Sequence, residues 1–464
     1  MKIKTADIAI KGGILVNSQG MRQADIYIKD GIVDSVEQGE SPKKTSFIID
    51  ASGKFVLPGI IDAHLHPVYA DRIDTLSKAA PFGGITTLIP YIGAFKAWGK
   101  TGNLLDVVND FIEEGEKSSI VDFGAHCSLT LEDMDTIDEM IPAAIEMGII
   151  SFKIFMAYAR RGMKLEDENI LEIMEVIAKN KALLAVHAEN GSMIDYLEDK
   201  SIAQGNLRPE FFSPSHPNIS EAEAIFRVLA LSNITKCPLY LAHVSARESL
   251  DVIKMYKGWS KSDFYTETCT HYLTLTDEEL ITKGSLAKMA PPLRKKEDIN
   301  ALWKAAEDGL LDVIGSDAAG HSIKDKEPLR DNIFKSPNGI PGLETMFTVA
   351  YDEAVNRGRI TLPRLVELTC ENPAKIFGLY PRKGILQKGS DADVLIFDPS
   401  VTHTITAKTY PLKVGYSLFE GRVCLGSPSL VMQRGRILLE KGKLKARPGQ
   451  GMYIPAERKN EWLT

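Results

Sequence analysis

Residues 59–66 read GIIDAHLH, an apolar run that ends in two histidines two positions apart. In an extended chain, residues i and i+2 project from the same face, so His64 and His66 can turn both imidazoles toward one ion. The same grammar, a short apolar strand closing on a loop, recurs along the middle of the chain. ITTLIPY (85–91), VDFGAHCSL (121–129), IISFKIFMA (149–157), ALLAVHA (182–188), PLYLAHV (238–244), DFYTETC (263–269) and LDVIGSD (311–317) complete a set of eight. Amphipathic helical patterns separate them, as in EDENILEIMEVIAKNK (166–181) and SEAEAIFRVLALSNI (220–234). Eight such units across residues 57–375 predict an α/β fold, a (β/α)₈ TIM-like barrel.

The two ends have a different texture. DIAIKGGILV (7–16) and ADIYIKDGIVDSV (24–36) alternate apolar and polar residues around the turn signals Gly12-Gly13 and Asp30-Gly31, and DADVLIFDPS (391–400) repeats the pattern near the other end. Each end is too short to bury a core alone. Residues 1–56 and 376–445 are therefore expected to pair into one small composite β-sandwich, leaving 446–464 as a polar tail that packs on a neighbour or frays.

A net charge of −7 and a pI near 5.8 argue against nucleic acid or an anionic membrane as the main partner. No apolar run is long enough for a membrane-spanning helix, and the start lacks the pattern of a secretory signal. The five cysteines are scattered, odd in number and without a C-x-x-C pair, which points to reduced thiols and the cytoplasm.

In barrels of this kind, functional groups sit at the C-terminal ends of the strands. There the sequence puts His64 and His66 on the first strand, Lys153 on the fourth, His187 on the fifth, His243 on the sixth and Asp317 on the eighth. Singly these signals are weak: a lone histidine is usually a hydrogen-bonded structural residue, and an aspartate before a loop is usually a cap. Together, each at a different strand end or in the H-x-H pair, they point to a metal site. Lys153 is the odd member, because a buried ammonium is expensive unless it snorkels to water. Two ions held by four neutral imidazoles and one carboxylate lack negative charge and a bridge. A neutral lysine amine can take up carbon dioxide and become a carbamate with two oxygens to share, so Lys153 reads as a carboxylated bridging ligand.

With GIIDAHLH, SFKIFMAY, VHAENG, LAHVSA, KMAPPLR, DVIGSD and SPNGIPGLE in order, the chain resembles the amidohydrolase superfamily, and within it the dihydropyrimidinase/hydantoinase branch. The resemblance implies His64, His66 and Asp317 on one ion, His187 and His243 on the other, and Lys153 between them. Two divalent ions follow, with Zn²⁺ the first choice and Mn²⁺ or Co²⁺ compatible with the same donors. It further implies that Tyr158 donates to the developing oxyanion, that main-chain groups at Ala290 and Asn338 hold the substrate amide, and that Asp317 carries the proton to the leaving nitrogen. Without the motif, Tyr158 would read as packing and Asn338 as a turn residue. The expected activity opens a small cyclic amide or imide, a dihydropyrimidine or 5-substituted hydantoin, to an N-carbamoyl amino acid. Allantoinase and then dihydroorotase are the rival activities, and a non-catalytic scaffold related to dihydropyrimidinase is the rival of a different class. The resemblance also implies a homodimer or homotetramer, to which the apolar stretch YPLKVGYSLFEG (410–421) and the tail add a modest hint.

Three departures bear on the substrate. Val68 stands where dihydroorotase-like relatives place an arginine, although Arg72 lies close behind. Ala318 replaces a common histidine, leaving His321 as a candidate substrate contact or a loop residue at the pocket rim. The loop LIPYIGAFKAWGKTG (88–102) is unlike the hydantoinase loops, and Tyr91, Phe95 and Trp98 could build an aromatic wall there. Of the remaining histidines, His126 reads as core or supporting, His271 as a pocket or structural residue, and His216 and His403 as exposed loop residues.

Overall fold

The computed structural model describes residues 5–39, 44–258 and 262–457. All eight expected barrel strands form. Ile60–Asp62, Ile85–Leu88 and Asp122–Phe123 begin the first three, which pair in parallel. The second and third strands resume as Tyr91–Gly93 and His126–Ser128 after breaks at Pro90 and Gly124, and parallel pairing then runs on through Ser151–Phe155, Leu183–His187, Leu239–Leu241, Phe264–Cys269 and Val313–Gly315. Proline has no N–H to give a ladder, which accounts for the first break.

Leu65 pairs in parallel with Ala318, so the first and eighth strands meet and the sheet closes. Asp62 clasps the same seam. Its carboxylate accepts the Ser316 hydroxyl at 2.5 Å and the Ser316 N–H at 3.1 Å. This bond holds His64 beside Asp317 across the joint.

The outer helices follow their apolar periodicity. Asp167–Lys179 buries Ile170, Ile173, Met174 and Ile177, one face at i, i+3, i+4 and i+7, with acids in its first turn and Lys179 in its last. Asn218–Thr235 covers the second expected helical stretch.

The chain ends do pair with each other. A seven-stranded sheet interleaves them: Phe55–Pro58 lies antiparallel to Val394–Thr404 and parallel to Ile14–Asn17, and Val423–Gln433 flanks the other side. A four-stranded sheet of N-terminal strands, in the order Ile32–Glu37, Asp25–Lys29, Thr5–Lys11, Lys44–Asp50, completes the β-rich unit. Ile10, Ile26, Val33, Val394, Ile396 and Met432 share its core, so neither end could bury it alone.

A buried charge cluster joins this unit to the barrel. Lys383, 1% exposed, reaches Asp122 and Asp393 at 2.6 Å each and Asp391 at 2.9 Å. Arg434 also pairs with Asp122. Asp122 belongs to the third barrel strand, while Asp391 and Asp393 lead into the sandwich strand Val394–Thr404.

Several expectations need correction here. Tyr410, Val414, Tyr416, Leu418 and Phe419 are buried within their own chain, so 410–421 is no exposed assembly surface. The tail packs on its own barrel: Phe123 N–H donates to Met452 O at 3.0 Å, Ile454 N–H to Phe123 O at 2.8 Å and Ala456 N–H to Gly148 O at 2.9 Å. Residues 458–464 of that tail lie outside the described residues. His403 lies in a strand and meets the Tyr410 hydroxyl at 3.2 Å. Among the described residues no helix is long and apolar enough to cross a membrane.

Removing the buried ammonium takes away the cation shared by all three aspartates and leaves Asp393 without one among the described residues, while Arg434 and Arg382 still pair with Asp122 and Asp391. Lys383→Met is expected to lower stability by about 3–5 kcal/mol, seen as an earlier chemical-denaturation midpoint. An unshifted midpoint would show that the three aspartates tolerate one another without the ammonium.

Candidate metal centre and active site

The strand ends converge at one pole of the barrel. His64, Lys153, His187 and His243 are almost wholly buried, and His66 nearly so. Nε2 atoms of His64 and His66 lie 3.3 and 3.4 Å from Asp317 Oδ1. His187 Nδ1 and His243 Nε2 face each other at 2.9 Å. Lys153 Nζ sits 3.0 Å from His64 Nε2 and 4.3 Å from the centre of the Tyr91 ring. Thus the six donors expected from the sequence are brought together.

Electrostatics favour neutral nitrogen in this cluster. Burial, and secondarily the neighbouring Lys153, hold His64 well below the ordinary imidazole range; burial and His187 do the same for His243. Burial pulls the Lys153 amine down to about 8. Burial works to raise Asp317, but His64 and His66 more than offset it and keep the carboxylate ionised.

A layer of carboxylates behind the site fixes which nitrogens point inward. Glu267 Oε1 lies 2.6 Å from His64 Nδ1, and the same side chain accepts from the Tyr240 hydroxyl at 2.6 Å and the His243 N–H at 2.9 Å. Glu189 Oε2 meets His187 Nε2 at 2.9 Å. Carboxylates at their outer nitrogens favour the tautomers of His64 and His187 whose lone pairs face inward. Converging lone pairs, an ionised carboxylate and a buried amine without a salt-bridge partner among the described residues make a donor set that suits divalent cations. His64, His243 and Asp317 offer ligand atoms within 4.8 Å of one another.

Backbone strain collects at the same place. Tyr158, His243 and Asp317 adopt φ of 70°, 40° and 45°, a left-handed region that side chains other than glycine seldom occupy. Such strain costs about 1–3 kcal/mol per residue and persists where surrounding structure enforces it.

The pocket above the donors is lined by Tyr158, Ala290 and Asn338, as expected, and by Tyr69, Trp98, Arg161 and His271. The Tyr158 hydroxyl donates to Ala290 O at 3.4 Å, and its ring lies 4.7 Å from that of His187. Asn338 Oδ1 and His271 Nε2 are buried without a hydrogen-bond partner among the described residues. Two lysines shape the loops that carry these groups. Lys326 donates to Lys288 O at 2.9 Å and Gly339 O at 2.6 Å, while Lys288 donates to Ser336 O at 2.6 Å.

The aromatic wall is partly built as the sequence suggested. Trp98 lines the pocket, Tyr91 packs beneath it on His64 and His126, and Phe95 stands behind Trp98. His126 is internal, bridging Ala63 O at 3.0 Å and Ser151. His321 does not line this pocket; it packs against Tyr69 in the adjoining cavity, with ring centres 4.0 Å apart and planes tilted by 34°. Arg72 is tied to Glu114 at 3.1 Å. His216, expected to be exposed, is 2% exposed and clamped between Glu189 at 3.1 Å and Glu198 at 3.4 Å. Burial disfavours its charge, but the two carboxylates prevail and raise its pKa.

A family model, the Amidohydrolase family, matches residues 55–438. The chain belongs to that family. It is 35% identical over 460 residues to a D-hydantoinase of Ralstonia pickettii, covering 97% of this chain and 98% of that protein. It is 36% identical over 456 residues to an L-hydantoinase of Paenarthrobacter aurescens, with 97% and 98% covered. The solved dihydropyrimidinase of Brevibacillus agri NCHU1002 superposes with a TM-score of 0.91 at 31% identity, over 98% of this chain and 99% of that one. Within the family, this chain is of the hydantoinase/dihydropyrimidinase type.

Sequence reasoning passed over Glu267, Glu189, Tyr69 and Arg161. Glu267 carried the same signal as Lys153, a charge inside a buried strand. Glu267→Gln is expected to weaken metal binding about ten- to hundredfold, measured by chelator competition with metal counted per chain. Wild-type retention of metal would assign Glu267 to the fold alone.

Proposed function

We propose that this protein is a dinuclear metal-dependent hydrolase that opens dihydropyrimidine or 5-substituted hydantoin rings to N-carbamoyl amino acids. The observation that carries the reading is the convergence of His64, His66, Lys153, His187, His243 and Asp317 beneath a pocket walled by Tyr158. Two divalent ions, Zn²⁺ first among those the donors suit, would be held by His64, His66 and Asp317 and by His187 and His243, and would supply Lewis acidity that polarises an amide carbonyl and acidifies water.

Lys153 would supply the anionic ligand that the imidazoles lack. Burial raises the share of its neutral form, which would attack carbon dioxide, forming an N–C bond and releasing one proton, and the carbamate would carry the negative charge.

The substrate amide would be held by main-chain groups at Ala290 and Asn338. Tyr158, kept protonated by burial, donates its hydroxyl to the carbonyl oxygen as charge grows there. Asp317 accepts a proton from the attacking water and returns it to the ring nitrogen as the C–N bond breaks, so the products are a carboxylate, the water's second proton passing to solvent, and a carbamoyl N–H. His321, outside the pocket, is left with a role at its rim.

Val68 and the Arg72–Glu114 pair weigh against dihydroorotase, since the candidate carboxylate-binding arginine is engaged elsewhere. The complete donor set weighs against a non-catalytic scaffold. Assembly as a homodimer or homotetramer is inferred from family resemblance, and five buried, unpaired cysteines support a reducing, cytoplasmic setting.

Dihydrouracil, hydantoins with small and aryl 5-substituents, allantoin and dihydroorotate, offered with Zn²⁺, Mn²⁺ and bicarbonate, test the reading. Opening of dihydrouracil or the hydantoins is expected, and two bound metals with none of the five opened would contradict it. Lys153→Ala is expected to lose activity and bind less metal, with partial rescue by short-chain carboxylic acids. Full activity in that variant would remove the carbamate.

A further inference from the structure

A second cavity adjoins the catalytic pocket and shares Tyr69, Tyr158, Arg161 and Asn338 with it. Four cationic side chains line it, Arg160, Arg161, Lys288 and Lys335, against two carboxylates, Asp195 and Glu198. Both carboxylates are engaged by Arg160, at 3.4 Å from Nε to Asp195 and 3.3 Å from Nη1 to Glu198. Lys288 is turned to the Ser336 carbonyl.

That leaves Arg161. Among the described residues no carboxylate lies within ion-pair distance of it, and its one side-chain hydrogen bond runs from Nη2 to the Tyr69 hydroxyl at 3.1 Å. Its guanidinium stands 5.5 Å from the centre of the Tyr158 ring, at the boundary between the two cavities. Tyr69 is itself packed against His321, which hydrogen-bonds the backbone of Asn338. The guanidinium is therefore held in place by the same loop that lines the pocket, with most of its N–H donors uncommitted.

A half-buried guanidinium without a counterion gives up hydration with no opposite charge to offset the loss. Its planar fork matches a carboxylate through two parallel hydrogen bonds. We propose that Arg161 selects cyclic amides whose ring substituent ends in a carboxylate, the ring lying over the donor cluster and the substituent reaching into the adjoining cavity. This deepens the cyclic-amide reading above and rests on it.

The test compares 5-carboxymethyl- and 5-(2-carboxyethyl)hydantoin with their carboxamides, and with unsubstituted hydantoin, on metal-loaded wild type, Arg161→Gln and Arg161→Lys. Wild type is expected to favour at least one carboxylate over its amide about tenfold or more in kcat/KM. Arg161→Gln is expected to erase that preference, with a loss of about ten- to hundredfold on the carboxylate that falls mainly on KM, as for a lost charge-assisted hydrogen bond. Arg161→Lys, which keeps the charge but not the fork, is expected to restore part of it. A wild-type preference for the amides, or an equal loss on acid and amide in Arg161→Gln, overturns the inference and makes Arg161 a structural residue. Opening of hydantoin with no preference for the acids overturns this inference alone. Failure on every hydantoin overturns the cyclic-amide reading and this inference with it.

Discussion

The site depends on a single constraint: burial among imidazoles pushes an amine away from the ordinary ammonium and toward its neutral form. Lys153 lies in the middle of a barrel strand, 1% exposed, with His64 at 3.0 Å and an aromatic ring below. A full charge there would require a partner that the surrounding imidazoles do not provide, and burial accordingly moves the amine toward its neutral form. A neutral amine beside converging nitrogen lone pairs is a nucleophile and a ligand precursor. The remaining features keep that arrangement in register.

Three kinds of support do this. Barrel closure through Leu65 and Ala318, clasped by Asp62 and Ser316, sets the first strand's histidines against the eighth strand's aspartate. Glu267 and Glu189 meet the outer nitrogens of His64 and His187 from behind and favour the tautomers whose lone pairs face inward. Left-handed backbone at Tyr158, His243 and Asp317 aims side chains at the pole where regular geometry would turn them away. The Lys383 cluster, further off, fixes the barrel to the composite sandwich.

Much of this was legible in the sequence because it rests on local pattern. Strand ends could be read from apolar runs, and residues that break such runs, His64, His187 and Lys153 among them, mark the pole. Pairing of the two chain ends followed from their being too short to bury a core separately. What escaped the reading depends on partners distant in sequence. His216 reads as exposed beside prolines until Glu189 and Glu198 fold around it. The apolar stretch 410–421 looked like a surface for another subunit because its true cover, the barrel loops of the same chain, is remote. Arg161 is unremarkable as the second arginine of a turn, and only the engagement of both nearby carboxylates by Arg160 makes it distinctive.

The chemistry of the site turns on one atom, Lys153 Nζ. Carbon-13 NMR of protein reconstituted with two equivalents of Zn²⁺ and ¹³C-bicarbonate tests it most directly. A carbamate resonance that appears with metal and is missing from Lys153→Ala is the predicted result. Two tightly bound ions with no carbamate signal would contradict that chemistry and leave Lys153 a plain buried amine.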